Sequence, residues 1–232
     1  MYWYEKMLRP SARDLSGAAA ASDARFWGRT SRKYAQSTIA DQAGYERTIY
    51  RTRELLKPDD EVLELGCGTG STALRLAGGV RSYHATDVSA GMIAIAQEKM
   101  AVDAVPGLVF RTGTAETEAE GKRYQAVLAF NYLHLVRDLP AMLRRINDLL
   151  IARGLFISKT SCLEDMYPLI RWLLLPMMRA IAAAPFVRVF GQRQPCRHIS
   201  SAGFEILTIV NHSTRGNDHR AFIVAWARSD GR

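Results

Sequence analysis

The chain has 232 residues, of which 48% are hydrophobic and 23% charged, as in an ordinary globular protein. This length is sufficient for one large domain with a continuous core. The formal net charge is +8 at pH 7, but the basic residues are spread along the chain without a dense tract. Diffuse surface charge is therefore favoured over a dedicated site for a polyanion.

The cysteines and the first residues bear on compartment and metal binding. Cys67, Cys162 and Cys196 are far apart and form no CxxC or Cys/His ligand pattern. This spacing argues against a disulfide framework and against a zinc site, so no metal is expected. The first six residues include charges and no apolar core segment, so we expect no secretory signal and a reducing, cytoplasmic location.

The N-terminal part divides into an arm and a helical region. Residues 1–24 show no clear periodicity, and we predict a loose arm, either flexible or helical in part. The main domain is predicted over residues 25–232. Within it, residues 25–57 are expected to form helices that pack ahead of a sheet, because their apolar positions have helical spacing.

Short apolar runs then alternate with helical patterns. The predicted strands are 62–65, 82–86, 108–111, 126–130 and 155–158, and the predicted helices are 72–76, 90–101 and 138–150. Repeated β-α units with apolar strands are typical of a parallel sheet covered on both faces. Residues 204–210 and 221–227 are joined by a polar loop too short for a helix, which predicts an antiparallel hairpin. The expected fold is α/β, a doubly wound seven-stranded sheet that is mostly parallel, with helices on both faces.

Residues 163–200 are predicted to form a variable lid or substrate cover. The stretch 165–190 is the most apolar part of the chain, and prolines interrupt it. Only seven residues separate Arg171 from Arg179, too few for a transmembrane helix of ~20 apolar residues. A buried helix pair, a lid over an apolar substrate, a peripheral membrane contact and a dimer face all remain open. The oligomeric state stays open as well.

The chemistry is predicted around a glycine loop, Gly66-x-Gly68-x-Gly70, between a strand and a helix. This order presents a nucleotide-like ligand at the carboxyl end of the strand. Glycines are needed because a Cβ would block the tight turn and the close approach of the backbone to a ligand. Asp87 ends the second strand, where a carboxylate can accept hydrogen bonds from both ribose hydroxyls. No Gly-Lys-Ser/Thr follows the glycines, so the loop is not a P-loop.

On these residues the chain resembles the class I S-adenosylmethionine-dependent methyltransferase family of the broad small-molecule type. The resemblance covers roughly residues 25–228 and is carried by residues 62–70, 86–92, 113–116 and 124–136, with 150–160 matching the region of the fifth strand. It implies a Rossmann-like sheet, S-adenosyl-L-methionine as the cofactor and methyl transfer as the activity.

The resemblance also implies a set of cofactor-binding residues. The loop with its preceding acid would contact the methionine and ribose end, through Glu64, Gly66, Cys67, Gly68 and Gly70. Asp87 would hold the ribose hydroxyls. The adenine would be contacted by Val88, Met92, the backbone of Ala115, and Glu116 in place of the usual Asp at Thr114. Phe130 and Asn131 would face the sulfonium and the substrate, and Tyr34 would close over the cofactor.

A general base is needed only if the methyl acceptor must lose a proton. His134 is the candidate, because it lies just past the fourth strand on the ligand side of the sheet, and Tyr132 is a weaker one. A packed structural histidine is the alternative interpretation of His134.

Three functions are considered. The first is methyl transfer to the oxygen or nitrogen of a small-molecule or lipid-like acceptor, motivated by the apolar stretch 165–190. The second is methylation of RNA or protein, motivated by the net charge of +8. The fourth strand, however, lacks the Asn-Pro-Pro-aromatic turn of enzymes that methylate planar amino groups, and no DNA substrate is expected. The third is a non-catalytic module that binds S-adenosylmethionine and a protein partner.

Overall fold

The computed structural model describes residues 12–119, 121–160, 186–188, 190–191, 193–214 and 220–228, with residues 12–20 described by their backbone. Most of the apolar stretch 165–190, and with it the predicted lid, lies outside the described residues. None of the described helices combines the length and the apolar composition needed to cross a membrane.

The described helices and strands alternate along the chain. The helices are α1 (Ala12–Gln36), α2 (Gln42–Leu55), α3 (Ser71–Leu76), α4 (Ala90–Val102), α5 (Leu139–Leu149) and α6 (Gln194–Ser201). The strands are β1 (Glu61–Leu65), β2 (Ser82–Asp87), β3 (Leu108–Thr112), β4 (Tyr124–Phe130), β5 (Leu150–Thr160), β6 (Phe204–Asn211) and β7 (Ala221–Ala227).

The seven strands form one sheet in the order β3-β2-β1-β4-β5-β7-β6. Strands β1 to β5 pair in parallel, and β7 is antiparallel to both β5 and β6. This confirms the predicted Rossmann-like, doubly wound sheet with an antiparallel C-terminal hairpin. The strand order reverses between β1 and β4, and such a switch point opens a crevice at the carboxyl ends of the strands.

Helices cover both faces of the sheet. On one face, Leu143 and Ile146 of α5 pack with Phe156 of β5 in a buried cluster that also includes residues of α6. On the other, Ile49 of α2 and Ile93 of α4 belong to a second buried cluster, together with residues of α3. Each fully buried side chain of this kind contributes roughly 1.5–3 kcal/mol relative to exposure.

Sequence signals explain where several helices begin. Asp138 caps α5 by accepting a hydrogen bond of 3.0 Å from the backbone nitrogen of Ala141, and proline is tolerated in the first turn. Ser89 caps α4 in the same way through the backbone nitrogen of Met92. These caps fix the helices directly after the strand ends that carry the candidate site.

Two boundaries differ from the sequence prediction. Helix α1 begins at Ala12, so the predicted division at residue 24 falls inside a helix. Strand β5 begins at Leu150, earlier than the predicted residue 155. The predicted loop before it is instead extended backbone with one left-handed residue, Arg153, at φ 59°. The helix before the hairpin, α6, is eight residues long.

Candidate active site

A cavity of about 930 Å³ lies at the carboxyl ends of β1, β2 and β4. Its walls include the glycine loop, the end of β2, the segment after β4 and residues of α1 and α2. Volumes of roughly 300–1,000 Å³ are typical of sites for small molecules. Because the cavity lies where the strand order reverses, it is the candidate active site.

The three loop glycines have left-handed backbones, with φ of 69° at Gly66, 55° at Gly68 and 75° at Gly70. A Cβ on Gly66 would lie 2.5 Å from Cδ2 of Tyr132, and a Cβ on Gly70 would lie 2.6 Å from Cζ of Phe110. Both contacts are closer than carbon atoms tolerate. Gly66 and Gly70 are therefore required by the packing of the loop against its neighbours as well as by its conformation.

Gly68 serves a different purpose, because the nearest atom to a Cβ at this position would be Cε1 of Tyr34, 3.9 Å away. Its backbone is left open to the cavity, and its N–H donates to Oδ2 of Asp87 at 3.0 Å. The N–H of Ser89 donates to Oδ1 of Asp87 at 2.8 Å. Burial raises the pKa of Asp87, and these two hydrogen bonds oppose that shift.

The open backbone and the neighbouring carboxylate fit an adenosine-like ligand. Each carboxylate oxygen has about two lone-pair sites, so Asp87 retains acceptor capacity for a pair of hydroxyls after binding Gly68 and Ser89. The wall next to Asp87 is formed by Val88, Met92, Gly113, Thr114 and Glu116. Met92 is buried, and an apolar wall of this kind suits a planar base.

The cavity brings together nearly all of the residues that the sequence predicted. These are Tyr34, Glu64, Gly66, Cys67, Gly68, Asp87, Val88, Met92, Glu116, Phe130, Asn131, Tyr132 and His134. Gly70 and Ala115 are not in its lining. A Cβ on Gly70 would meet Phe110, and Ala115 is fully buried with its carbonyl accepting a hydrogen bond of 3.0 Å from Nε of Arg145.

Glu64 and Cys67 are buried groups in the floor of the cavity. Glu64 is 2% exposed and accepts a hydrogen bond of 2.9 Å from the hydroxyl of Tyr83. Burial raises the pKa of Glu64 to about 7, with a smaller contribution from the charge of Asp87. Burial also raises the pKa of Cys67 far above its ordinary value, so this residue is a neutral thiol rather than a nucleophile.

Helix α1 forms part of the cavity wall through Trp27 and Tyr34, whose rings meet edge to face at 6.2 Å between centroids. The helix crosses α4 at a close contact, since a Cβ on Gly91 would lie 3.1 Å from Cα of Gly28. Tyr34 is 48% exposed. The α1–α4 contact therefore holds the ring of Tyr34 beside Gly68 of the glycine loop, with Trp27 packed against Tyr34 in the cavity wall.

The segment after β4 turns sharply at Asn131, which has φ of 51° and donates its N–H to the carbonyl of Lys159 at 2.7 Å. The ring of Tyr132 packs beneath Gly66, and its hydroxyl donates to Sδ of Met142 at 3.7 Å. Burial raises the pKa of Tyr132 well above its usual range. Nδ1 of His134 is buried without a hydrogen-bond partner among the described residues, and burial lowers the pKa of this imidazole to about 4.

Several polar residues of the cavity wall were not predicted from the sequence, among them Asp41, Thr48, Lys159 and Arg220. A signal existed for Lys159, because it is a charged residue that follows the apolar residues 155–157 of β5 after a single serine. Thr48 offered no signal, since a threonine in an amphipathic helix is ordinary. The cavity therefore has a charged wall that the motifs do not contain.

The fold and the site define the class of this protein. It is a doubly wound α/β domain with a cavity at the switch point of its sheet. Asp87 and Gly68, joined by a hydrogen bond, lie in the lining of that cavity.

Comparisons with known proteins found similarities to methyltransferases and to larger synthases. Residues 62–154 match the family described as "Methyltransferase domain". The chain is 31% identical over 131 residues to the highly reducing polyketide synthase pspA of Penicillium soppii, covering 50% of this chain and 5% of the synthase. It is 33% identical over 100 residues to the ubiquinone biosynthesis O-methyltransferase of Azorhizobium caulinodans, covering 43% of this chain and 39% of that protein.

A solved structure agrees with the fold. The magnesium protoporphyrin IX methyltransferase ChlM of Synechocystis PCC 6803, crystallised with bound SAH, superposes with a TM-score of 0.66 at 18% identity. The match covers 93% of this chain and 100% of ChlM. The chain spans one twentieth or so of the length of the polyketide synthases that it matches. The match over residues 62–154 includes the glycine loop and Asp87, the residues on which the resemblance to S-adenosylmethionine-dependent methyltransferases rests.

Proposed function

We propose that this protein is an enzyme that transfers the methyl group of S-adenosylmethionine to a small-molecule or lipid-like acceptor. The observation that carries the proposal is the pairing of the open Gly68 backbone with Asp87 at 3.0 Å. This pair opens onto a cavity of about 930 Å³. The proposal is also supported by relatives that include an O-methyltransferase and polyketide synthases.

Each part of the cavity wall has a role in holding the cofactor. The backbone from Gly66 to Gly68 contacts the methionine and ribose end, and Asp87 accepts hydrogen bonds from the ribose hydroxyls. Val88 and Met92 pack against the adenine, and Glu116 accepts from the adenine amino group. The cofactor supplies a methyl group already activated on a positively charged sulfur. The chain's own contribution is therefore orientation and exclusion of water, which is worth up to ~7–11 kcal/mol in favourable cases.

Trp27 and Tyr34 form a cover that excludes water from the site. Both side chains lie in the cavity wall on α1, across from the segment after β4. Phe130 and Asn131 of that segment face the space between the cofactor and the acceptor. Desolvation strengthens the electrostatic contacts inside the site, because the effective dielectric constant falls.

His134 is the proposed proton acceptor. With a pKa of about 4 it is neutral at pH 7, so Nδ1 or Nε2 can accept a proton. The low basicity is sufficient, because an acceptor hydroxyl or amine becomes much more acidic once the methyl bond forms. Tyr132 fits a structural role better, because its ring packs beneath Gly66 and its hydroxyl pKa is raised by burial.

The premise that the cofactor binds at Asp87 is tested by calorimetry with S-adenosylhomocysteine on wild type and Asp87→Ala. The loss of charge-assisted hydrogen bonds, each worth about 1.5–3 kcal/mol, is expected to weaken binding at least tenfold. Equal affinities of the two proteins would contradict the assignment of Asp87.

A second experiment identifies the class of acceptor. The protein is incubated with methyl-labelled cofactor and a fractionated cell extract, and label is followed into small-molecule, lipid, RNA and protein fractions. We expect label in the small-molecule or lipid fraction. Label confined to RNA or to protein would overturn the proposed acceptor class, and binding without any transfer would favour a non-catalytic module.

A further inference from the structure

A short turn after β3 brings Glu116 to the wall of the cavity. Gly113, Thr114 and Glu116 line the cavity beside Asp87, and residues Ala115–Thr117 form a single 3₁₀ turn. A turn of this length makes few hydrogen bonds of its own, so contacts from other elements must fix its position. The placement of Glu116 therefore depends on groups outside the turn.

Local hydrogen bonds close the turn at its base. The N–H of Gly113 donates to the carbonyl of Asp87 at 2.9 Å, which ties the turn to the end of β2. The hydroxyl of Thr117 accepts from the N–H of Thr114 at 2.9 Å and donates to its carbonyl at 2.8 Å. None of these bonds uses the carbonyl of Ala115, a fully buried residue. A buried carbonyl needs a donor, because leaving it unpaired costs free energy.

Arg145 of α5 supplies that donor. Its Nε donates to the carbonyl of Ala115 at 3.0 Å, and its Nη2 donates to the carbonyl of Glu118 at 2.8 Å. The two carbonyls lie on either side of Glu116 in the chain. A guanidinium presents both donors in one rigid plane, so it fixes the orientation of the turn as well as its position. A lysine has one nitrogen on a flexible stem and cannot reproduce this geometry.

The far end of the turn has a second attachment. The side chain of Glu118 is buried and accepts hydrogen bonds from the hydroxyl of Tyr124 at 2.5 Å and from Nη2 of Arg111 at 3.0 Å. These bonds fasten residue 118 to the sheet independently of Arg145. Loss of the guanidinium would therefore release chiefly the part of the turn at Ala115 and Glu116, with the sheet left in place.

Glu116 extends from this held turn into the cavity wall. It is exposed and lines the cavity. Its charge reaches Tyr132 on the opposite side of the lining, where burial first and Glu116 second raise the pKa of the phenol. The carboxylate of Glu116 thus acts inside the cavity, on the side where the adenine amino group is proposed to bind.

We propose that Arg145 is a positioning residue for recognition of the cofactor's base. By holding the carbonyls of Ala115 and Glu118, it aims the carboxylate of Glu116 at the adenine amino group. Arg145 is not in the cavity lining, so it acts through the turn and does not contact the cofactor. This inference rests on the proposed function, because it deepens the role of Glu116 in that site.

The test compares two ligands by calorimetry, S-adenosylhomocysteine and S-inosylhomocysteine, in which a carbonyl oxygen replaces the amino group of the base. The wild type is expected to bind the adenosyl compound at least tenfold more tightly, because it loses a hydrogen bond to a charged group with the inosyl compound. Arg145→Lys keeps the charge and should reduce this preference at least threefold. The control Arg144→Lys changes the neighbouring, exposed arginine of α5 and should keep the wild-type preference.

A double-mutant cycle tests whether Arg145 acts through Glu116. Glu116→Ala is expected to bring the preference for the adenosyl compound close to one. Adding Arg145→Lys to this variant should then change the preference no further, because residues that act as a unit are not additive. A further fall in the preference of the double variant would overturn the proposed route through Glu116.

The remaining outcomes separate a positioning role from a structural one. A lower melting temperature of Arg145→Lys with an unchanged preference would mean that Arg145 only stabilises the fold, and it overturns the inference. A wild type that binds both ligands equally also overturns it, while the proposed function stands. A wild type that does not bind S-adenosylhomocysteine overturns the proposed function itself.

A second variant covers the case in which Arg145→Lys does not fold, as checked by circular dichroism. Thr117→Val changes an exposed residue and removes the hydroxyl that closes the same turn on Thr114. It is expected to reduce the preference for the adenosyl compound severalfold. An unchanged preference in a folded Thr117→Val protein would contradict the dependence of base recognition on the held turn.

Discussion

The hydroxyl of Tyr83 donates a hydrogen bond of 2.9 Å to Glu64, joining two buried side chains on the adjacent strands β1 and β2. The bond favours the ionised carboxylate, whereas burial favours the neutral acid, and burial is the larger effect. Glu64 therefore has a pKa of about 7 in the folded protein, against an ordinary value of 4.5. This relationship makes the stability of the fold depend on pH.

The first prediction concerns that dependence. Between pH 4.5 and 7 the folded protein retains a proton on Glu64 that the unfolded chain releases, so the free energy of unfolding falls as pH rises through this window. Glu64→Gln removes the charge and keeps an acceptor for Tyr83. We expect the variant to be more stable than wild type by up to about 3 kcal/mol above pH 7, at ~1.36 kcal/mol per pKa unit.

Urea unfolding of both proteins at about pH 5 and about pH 8 measures this difference. In the difference between variant and wild type, the contributions of the other titrating groups to the pH dependence of stability cancel. If the difference in free energy of unfolding between variant and wild type is the same at both pH values, Glu64 does not carry the proton.

The second prediction separates two roles of a glycine with positive φ. One is to adopt the left-handed backbone conformation, and the other is to leave space for a ligand in the cavity. Gly68 and Gly121 both have positive φ, 55° and 78°, and a Cβ added at either position would have no neighbouring atom closer than 3.9 Å. Alanine at either position costs about 1–2 kcal/mol of backbone strain. Only Gly68 lines the cavity, so Gly68→Ala should also weaken S-adenosylhomocysteine binding at least tenfold.

Thermal unfolding and calorimetry on the two alanine variants make this comparison. Gly121→Ala should lose a similar amount of stability and keep the wild-type affinity. A similar loss of affinity in both variants would mean that strain, and not the methyl group in the cavity, weakens binding.

The third prediction concerns Lys99, which braces the glycine loop from α4. Its Nζ donates hydrogen bonds of 3.0 Å to the carbonyl and the hydroxyl of Thr69 and to the hydroxyl of Ser71. Lys99→Met removes these bonds, each worth about 1 kcal/mol net. We expect the variant to bind S-adenosylhomocysteine three- to tenfold more weakly, a loss on the order of 1 kcal/mol. The reason is that the ligand must then order the loop.

The neighbouring Glu98 provides the control for Lys99. It pairs with Arg32 on the surface at 2.9 Å, and such exposed pairs contribute little. Glu98→Gln should therefore leave the affinity unchanged. An unaltered affinity in Lys99→Met would show that the loop holds its shape without the brace.

The fourth prediction tests His134 as the proton acceptor. Its pKa of about 4 means that the neutral imidazole is present at and above pH 5, so its titration should not alter the turnover rate between about pH 6 and 8. His134→Ala should lower kcat by roughly 10²–10⁴-fold, the usual contribution of a general base. The affinity of this variant for S-adenosylhomocysteine should stay within about twofold of the wild-type value. A twofold change corresponds to RT ln 2, which is well below 1 kcal/mol.

Turnover is followed by label transfer to the acceptor fraction, with His198→Ala on α6 as the control, because His198 is not in the cavity lining. An unchanged kcat in His134→Ala would assign this histidine a packing role. A rate that rises with pH near 7 would point to a different proton acceptor.

Local patterns were sufficient to predict the sheet and the loop from the sequence. The strand that ends before Gly66, the helix after Gly70 and the acid at Asp87 are each determined by neighbours within a few residues. Glycine at left-handed positions and apolar runs in parallel strands are local consequences of sterics and burial. The order of strands followed because alternating β-α units permit few topologies.

Contacts between distant parts of the chain could not be predicted in this way. The bond of Lys159 to Thr48 spans 111 residues, and the contact of Thr48 with His212 spans 164. No local pattern indicates that such residues meet. Gly70, predicted as a ligand contact, lies outside the cavity lining, and a Cβ at this position would meet Phe110, which is 40 residues away in the chain.

The sequence by itself therefore determined the glycine loop between β1 and α3 and the place of Asp87 at the end of β2, because each is encoded within a short stretch. The tertiary structure decided what surrounds that position, including the buried imidazole of His134 and the buried lysine Lys159 in the cavity wall. The physical reason is that the pKa and the accessibility of these groups depend on desolvation by residues from α2, β5 and β7, which only folding brings together.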